Sequence, residues 1–253
     1  MLSPTYHTQA CAHRGDNHCA PENTLRAFEL ALGKGAAQIE FDVRATGDGQ
    51  LVVIHDKTVD RTTDGSGPVS ELTLAEVRAL DAGSWLDVQY AGTRVPLLTE
   101  VLAAVRPGTL VNCQLYVGPE HVERVISQIR EYGLVEQAFL ACEAAQMAEA
   151  RRLEPALRIC SLQGQRGPDS DYPQRVIASG AEFIQLCGWA ECLPEVVDDL
   201  HAHGITVNYF GTEDPALMRR LIEARVDYVL TDHLDLMHEV MGEYGITPAP
   251  LAR

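Results

Sequence analysis

A single (β/α)8 barrel is the fold this sequence predicts, and three observations lead there. Short apolar, β-like runs alternate with amphipathic segments eight times along the chain. No break in composition divides the 253 residues, a length that fits either two small domains or one large α/β barrel. Acidic residues alternate inward near the end of the second run, where barrel enzymes place their sites. A doubly wound sheet, the competing arrangement, requires neither eight units nor inward acids at a strand end.

The strand candidates are residues 9–13, 37–43, 109–115, 138–142, 157–162, 182–187, 205–210 and 227–231. Helix candidates follow most of them, at 23–33, 97–105, 119–132, 143–153, 172–179, 194–203, 214–224 and 233–241. In the first helix Leu25, Phe28 and Leu32 recur at helical spacing, and Gly33 and Gly35 end it. The second strand carries Ile39-Glu40-Phe41-Asp42-Val43, an alternation that puts both carboxylates on one face and the large apolar groups on the other. Asp48-Gly49 reads as the two-residue loop of a hairpin whose return arm is Leu51-Val52-Val53-Ile54-His55. Counting back from that loop sets His55 opposite Asp42, with their Cβ atoms roughly 5 Å apart. Two carboxylates and an imidazole would then converge. A second histidine, His13, directly follows the first strand.

Residues 57–96 break the alternation. They hold Asp64-Gly65-Ser66-Gly67-Pro68, which is loop chemistry, and Thr73-Leu74-Ala75-Glu76, a capping-box pattern opening a short helix to about Leu80. So long an excursion after the second strand should rise over the barrel mouth and serve function.

Bulk properties narrow the function. The formal charge of −16 argues against a nucleic-acid partner, whose phosphates call for a basic surface. No apolar run approaches 18 residues, so no membrane span is expected. The N-terminal MLSPTYHTQA lacks the basic and apolar regions of a secretory signal. Seven cysteines include Cys11, Cys113, Cys142, Cys160 and Cys187 in apolar runs, which read as buried thiols in a reducing compartment; a cytoplasmic location is expected. Oligomeric state stays open.

His13-Arg14-Gly15, Pro21-Glu22-Asn23-Thr24, Glu40-x-Asp42, Thr46-x-Asp48-Gly49, His55-Asp56, Arg61-Thr62-Thr63, Leu80-Asp81-Ala82-Gly83-Ser84-Trp85 and Thr231-Asp232 together resemble the glycerophosphodiester phosphodiesterase family. They stand in family order and span nearly the whole chain. The resemblance implies a barrel with a small capping insertion that helps to select substrate. It also implies hydrolysis of small glycerophosphodiesters to glycerol phosphate and an alcohol. His13 and His55 would be the acid/base pair, and Glu40 and Asp42 the ligands of a divalent metal. Oxygen donors of that kind suit Mg²⁺ or Ca²⁺. Two imidazoles near neutrality divide proton work well, and Arg14 offers a guanidinium fork for phosphate. The glycerol hydroxyl next to the ester could itself attack phosphorus, giving a cyclic intermediate that water opens.

The chain departs from the family at two places. The family's third strand usually ends in Glu-x-Lys, where this chain has Gln114 and Tyr116. One ligand charge and one phosphate-binding cation are thereby replaced by neutral groups. Near the seventh strand, Tyr209 or Phe210 stands where the family often has tryptophan. Glu22 fits a helix N-terminus as well as it fits a substrate site. Gln163, Gln185 and Trp189 follow the fifth and sixth strands, where pocket residues belong, whereas Trp85 reads as packing in the excursion and Thr231-Asp232 as structural hydrogen bonding. Two other readings stay open: hydrolysis or ring-forming cleavage of a different phosphodiester, and a non-catalytic barrel that binds phosphodiesters.

Overall fold

The computed structural model describes residues 7–165, 171–189 and 193–249. Their strands, in chain order, are β1 (Gln9–Ala12), β2 (Gln38–Ala45), β3 (Leu51–Val53), β4 (Leu110–Leu115), β5 (Ala138–Cys142), β6 (Arg158–Ser161), β7 (Phe183–Leu186), β8 (Thr206–Phe210) and β9 (Tyr228–Thr231). All but β3 are parallel, and the pairing of β1 with both β9 and β2 closes them into an eight-stranded barrel. The helices are α1 (Leu25–Gly33), α2 (Leu74–Ala79), α3 (Leu98–Ala104), α4 (Val122–Glu131), α5 (Ala144–Leu153), α6 (Tyr172–Ser179), α7 (Leu193–Ala202), α8 (Pro215–Glu223) and α9 (Leu234–Glu243). Except for α2, each links one barrel strand to the next or follows the last. The expected barrel is the observed one, and its element boundaries differ by at most three residues.

Local chemistry sets those boundaries. Thr24 caps α1 by accepting a hydrogen bond from the Ala27 amide at 3.3 Å. Thr73 and Glu76 form the capping box that opens α2. Asp214 caps α8, with Pro215 in its first turn where a missing N–H costs nothing.

β2 is buried on both faces, as parallel strands are when helices cover them. Ile39, Phe41 and Val43 join the main apolar cluster beneath the helices, where Phe41 meets Phe28 edge-on with ring centroids 5.9 Å apart. Glu40 and Asp42 alternate to the inside, where the barrel also holds an amide layer. Asn112 donates to Gln185 and Asn208 donates to Gln38, each at 3.3 Å. Toward the N-terminal ends of the strands Phe139 stacks on Phe183 at 4.1 Å and fills the interior.

The hairpin register differs from the expected one. Val43 pairs with Val53, Arg44 with Val52 and Ala45 with Leu51, so the loop holds three residues, 47–49. Gly49 takes φ +75° and donates its amide to the Thr46 carbonyl at 2.9 Å, the left-handed position of a three-residue hairpin. Ile54, not His55, is therefore opposite Asp42, with the Ile54 amide on the Asp42 carbonyl at 2.9 Å. His55 reaches the interior face because the chain has already left β3.

Residues 57–96 carry α2 and two short 3-10 turns at Val69–Glu71 and Val88–Tyr90. They pack on the hairpin through a separate apolar cluster of Val52, Ile54, Val59, Val69, Val77, Ala82 and Val95. Asp81 organises their far end by accepting from the amides of Gly83, Ser84 and Gly92. Trp85 is 39% exposed and donates to the Ala82 carbonyl within this segment.

Six described cysteines are free thiols, and Cys192 lies outside the described residues. Cys187 is exposed, contrary to its expected burial, because it stands just past the end of β7. Among the described residues no helix is long and apolar enough to cross a membrane.

Candidate active site

The strand ends gather the acidic and imidazole side chains at the C-terminal mouth of the barrel. His13 follows β1 and is 8% exposed. Its Nδ1 lies 2.6 Å from Asp232 Oδ1, just past β9, and its Nε2 lies 4.0 Å from Glu40 Oε2. Phe210, the last residue of β8, tilts against the His13 ring at 4.7 Å. Asn17 also donates to Asp232 Oδ1, at 2.5 Å. These bonds hold the Asp232 carboxyl below its ordinary value against the opposing effect of burial.

Arg14 occupies the left-handed region at φ 56°, as does Asn23 at φ 57°. Non-glycine residues pay for that conformation, and here it aims both at the carboxylates. The Arg14 amide donates to Glu40 Oε2 at 3.0 Å, and its guanidinium lies 2.9 Å from Glu22 and 3.3 Å from Asp42. Asn23 Nδ2 donates to Asp42 Oδ2 at 2.8 Å. The adjoining Gly15, at φ +81°, passes so close to α1 that a Cβ would sit 2.7 Å from the Ala27 backbone. Only glycine lets that turn close.

His55 is held by a second aspartate. Its Nδ1 lies 2.7 Å from Asp56 Oδ1, and Arg61 donates to both Asp56 and Glu22. The Arg61 hydrogen bonds, with help from His55, hold Asp56 well below the usual carboxylate range. Burial works to raise Glu22, and its bonds to Arg61 and Arg14 overcome that, leaving it lowered. A chain of charges thus ties His55 to Arg14. On the other side, Tyr116 Oη is 3.5 Å from His55 Nε2 and accepts from Gln114 Nε2 at 2.5 Å.

Glu40 and Asp42 are almost wholly buried and adjacent on the same face. Burial first, and the Asp42 charge second, push the Glu40 carboxyl well above its ordinary value despite Arg14. Asp42 Oδ1 is buried with no hydrogen-bond partner. An orphaned carboxylate oxygen beside a strained acid is the setting a cation relieves. Gln114 pairs with Asp42 in the β2–β4 register, and its amide oxygen takes no hydrogen bond among the described residues. The donor set of Glu40, Asp42 and Gln114 is all oxygen, which fits a hard divalent cation. Among the described residues no three His, Cys, Asp or Glu side chains group as a metal site, so two carboxylates and one amide would have to suffice.

The structure brings together His13, Arg14, Glu22, Glu40, Asp42, His55, Gln114, Tyr116 and Phe210. It does not bring three other candidates. Gln163 is exposed in the turn after β6. Gln185 is 5% exposed within the barrel, its side-chain Oε1 accepting from Asn112. Trp189 is 4% exposed and packs in the apolar core. Asp232, assigned from sequence to structural hydrogen bonding, makes its bonds to His13 and Asn17. Asp56 and Arg61 stood in the recognised motifs without a role, and their neighbours supply one.

A family model for the glycerophosphoryl diester phosphodiesterase family matches residues 13–236. A glycerophosphodiester phosphodiesterase from Caldanaerobacter subterraneus is 35% identical over 94% of this chain and 99% of its own. Among solved structures, a glycerophosphodiester phosphodiesterase from Agrobacterium tumefaciens aligns at TM-score 0.79 with 32% identity, covering 91% of this chain and 98% of that one. A phosphodiesterase from Oleispira antarctica, in complex with the product sn-glycerol-3-phosphate, aligns at TM-score 0.79 with 27% identity over 92% and 96% of the two chains.

Proposed function

This chain belongs to the glycerophosphoryl diester phosphodiesterase family and is a phosphoric diester hydrolase, and on that premise we propose that it cleaves small glycerophosphodiesters with His13 and His55 dividing the proton transfers. The observation that carries this reading is the pair of Asp–His contacts. Each imidazole is held at Nδ1 by a carboxylate, at 2.6 Å for His13 and 2.7 Å for His55. Each therefore turns Nε2 to the buried acids or to Tyr116, free to take or give a proton.

One imidazole removes the proton from the glycerol hydroxyl beside the ester. That oxygen attacks phosphorus, the bond to the other alcohol breaks, and the second imidazole protonates the departing oxygen. Water then opens the cyclic phosphate with the two roles exchanged, and glycerol phosphate leaves. Arg14 positions the phosphate with its guanidinium. Glu40 and Asp42, with Gln114 as a neutral third donor, would hold Mg²⁺ or Ca²⁺. A cation held there would polarise a phosphoryl oxygen.

Residues 57–96 act as a cap on one barrel domain. Arg61 reaches from them into the site, and the Tyr90 hydroxyl donates to the Cys19 carbonyl. The free thiols suit a reducing cytoplasm, and the charge of −16 disfavours nucleic acid.

The test is release of alcohol from a panel of glycerophosphodiesters, with and without thorough chelation. Hydrolysis that chelation abolishes is expected. No release from any member would overturn the substrate reading, and release that survives chelation would overturn the metal.

A further inference from the structure

A cleft of about 530 Å³ opens beside His55, between the end of β2, the capping segment and the turn after β4. That volume lies in the range of small-molecule pockets. Two of its wall residues touch His55. Arg44 Nε donates to the His55 carbonyl at 2.7 Å, and the Tyr116 ring meets the imidazole edge-on at 5.4 Å. Arg44 and Tyr116 thus form the boundary shared by His55 and the cleft.

The charges on its wall are lopsided. Among the described residues neither Arg44 nor Lys57 has a carboxylate within ion-pair distance, although the chain as a whole carries −16. Burial lowers the Arg44 guanidinium from its ordinary value, against the opposing pull of Asp42 and Asp56, which do not line the cleft. The wall's acid, Glu120, lies 3.7 Å from His121 Nε2. Aromatic recognition of a quaternary amine is disfavoured on the ring face that Arg44 covers. Tyr116 is the aromatic ring of the wall, and the Arg44 guanidinium carbon covers it at 4.6 Å from the centroid. A ring face already holding one cation repels a second.

We propose that this cleft receives the leaving alcohol and favours one that bears its own anionic group, a phosphate or a carboxylate, over a neutral polyol or a quaternary amine. The inference rests on the phosphodiesterase reading and names the substrate class of that same site. Arg44 and Lys57 provide a local positive field on an acidic protein. The glycerol half, folded so that its hydroxyl meets phosphorus, is compact and common to every substrate. The variable half is the one that needs an open cleft.

The experiment compares kcat/KM for three diesters: glycerophosphocholine, glycerophosphoglycerol, and glycerophosphoglycerol carrying a terminal phosphate. Parent enzyme and Lys57→Glu are measured at low salt and at about 0.5 M salt, where charges are screened within a few ångströms. Lys57 is exposed, and its bond to the Val69 amide is made by its backbone carbonyl, so a side-chain change leaves the packing alone. The parent should prefer the phosphate-bearing diester by about tenfold over the neutral one, with choline last. Lys57→Glu should erase most of that preference, and salt should shrink it in the parent. Equal efficiency on all three, a preference for choline, or a uniform loss in Lys57→Glu would overturn the inference while leaving the phosphodiesterase reading intact. Hydrolysis of none of the three would overturn both.

Discussion

Replacing Asp232 is the sharpest test of how His13 is held. The contact is 2.6 Å, and at an effective dielectric near 20 the bare attraction to an imidazolium is roughly 6 kcal/mol. The Asp232 side chain is 42% exposed and shares Oδ1 with Asn17, so solvent and competition consume most of this. About 1.5 kcal/mol should remain, in line with a charge-assisted hydrogen bond. Asp232→Ala should therefore lower kcat/KM about tenfold. Asp232→Asn should be worse. An amide NH₂ turned toward Nδ1 favours the tautomer whose proton sits on Nε2, where the base must accept. The assay is steady-state hydrolysis of the best glycerophosphodiester, with thermal unfolding as a control for the fold. Parent-like kcat/KM in both variants would refute the positioning role, and Asp232→Asn matching Asp232→Ala would refute the tautomer argument.

His13→Ala and His55→Ala should each cost about 10²–10⁴ in turnover with the unfolding midpoint preserved; a fully active variant would remove that histidine from the mechanism. Gln114→Glu should tighten divalent-cation binding in a calorimetric titration, because it adds a carboxylate in register with Asp42, though repulsion among three acids offsets part of the gain. Equal affinity in both proteins would show that Gln114 is not a ligand. Arg61→Ala should destabilise the fold by about 1 kcal/mol at neutral pH, since Arg61 is largely exposed. Asp56 and Glu22 are lowered in the fold, so their contribution is full above the ordinary carboxylate range and fades as pH falls through it toward the folded values. The stability gap between parent and Arg61→Ala should thus shrink in urea titrations at about pH 3; a gap that stays constant would rule out these ion pairs as its source.

The sequence by itself determined whatever depends on neighbours a few residues apart. The alternation from Ile39 to Val43 decided which face of β2 carries carboxylates, because a strand's period is two. The Thr73-x-x-Glu76 spacing decided where α2 begins, because both capping bonds are local. The hairpin was legible as a hairpin but not in register. Asp48-Gly49 suits both a two-residue and a three-residue loop, and the choice shifts every pairing by one. His55 meets its own neighbour Asp56, but only the tertiary structure decided the partner of His13 and those of the buried acids. His13 meets Asp232 across 219 positions because β9 closes the barrel on β1. Glu22 meets Arg61 across 39 because the capping segment folds back over the first loop. Gln185 looked like a pocket residue by position, yet its side chain is buried inside the barrel and accepts from Asn112. Such pairings follow from closure of the sheet, a property of all eight strands together, and no local pattern of residues encodes them.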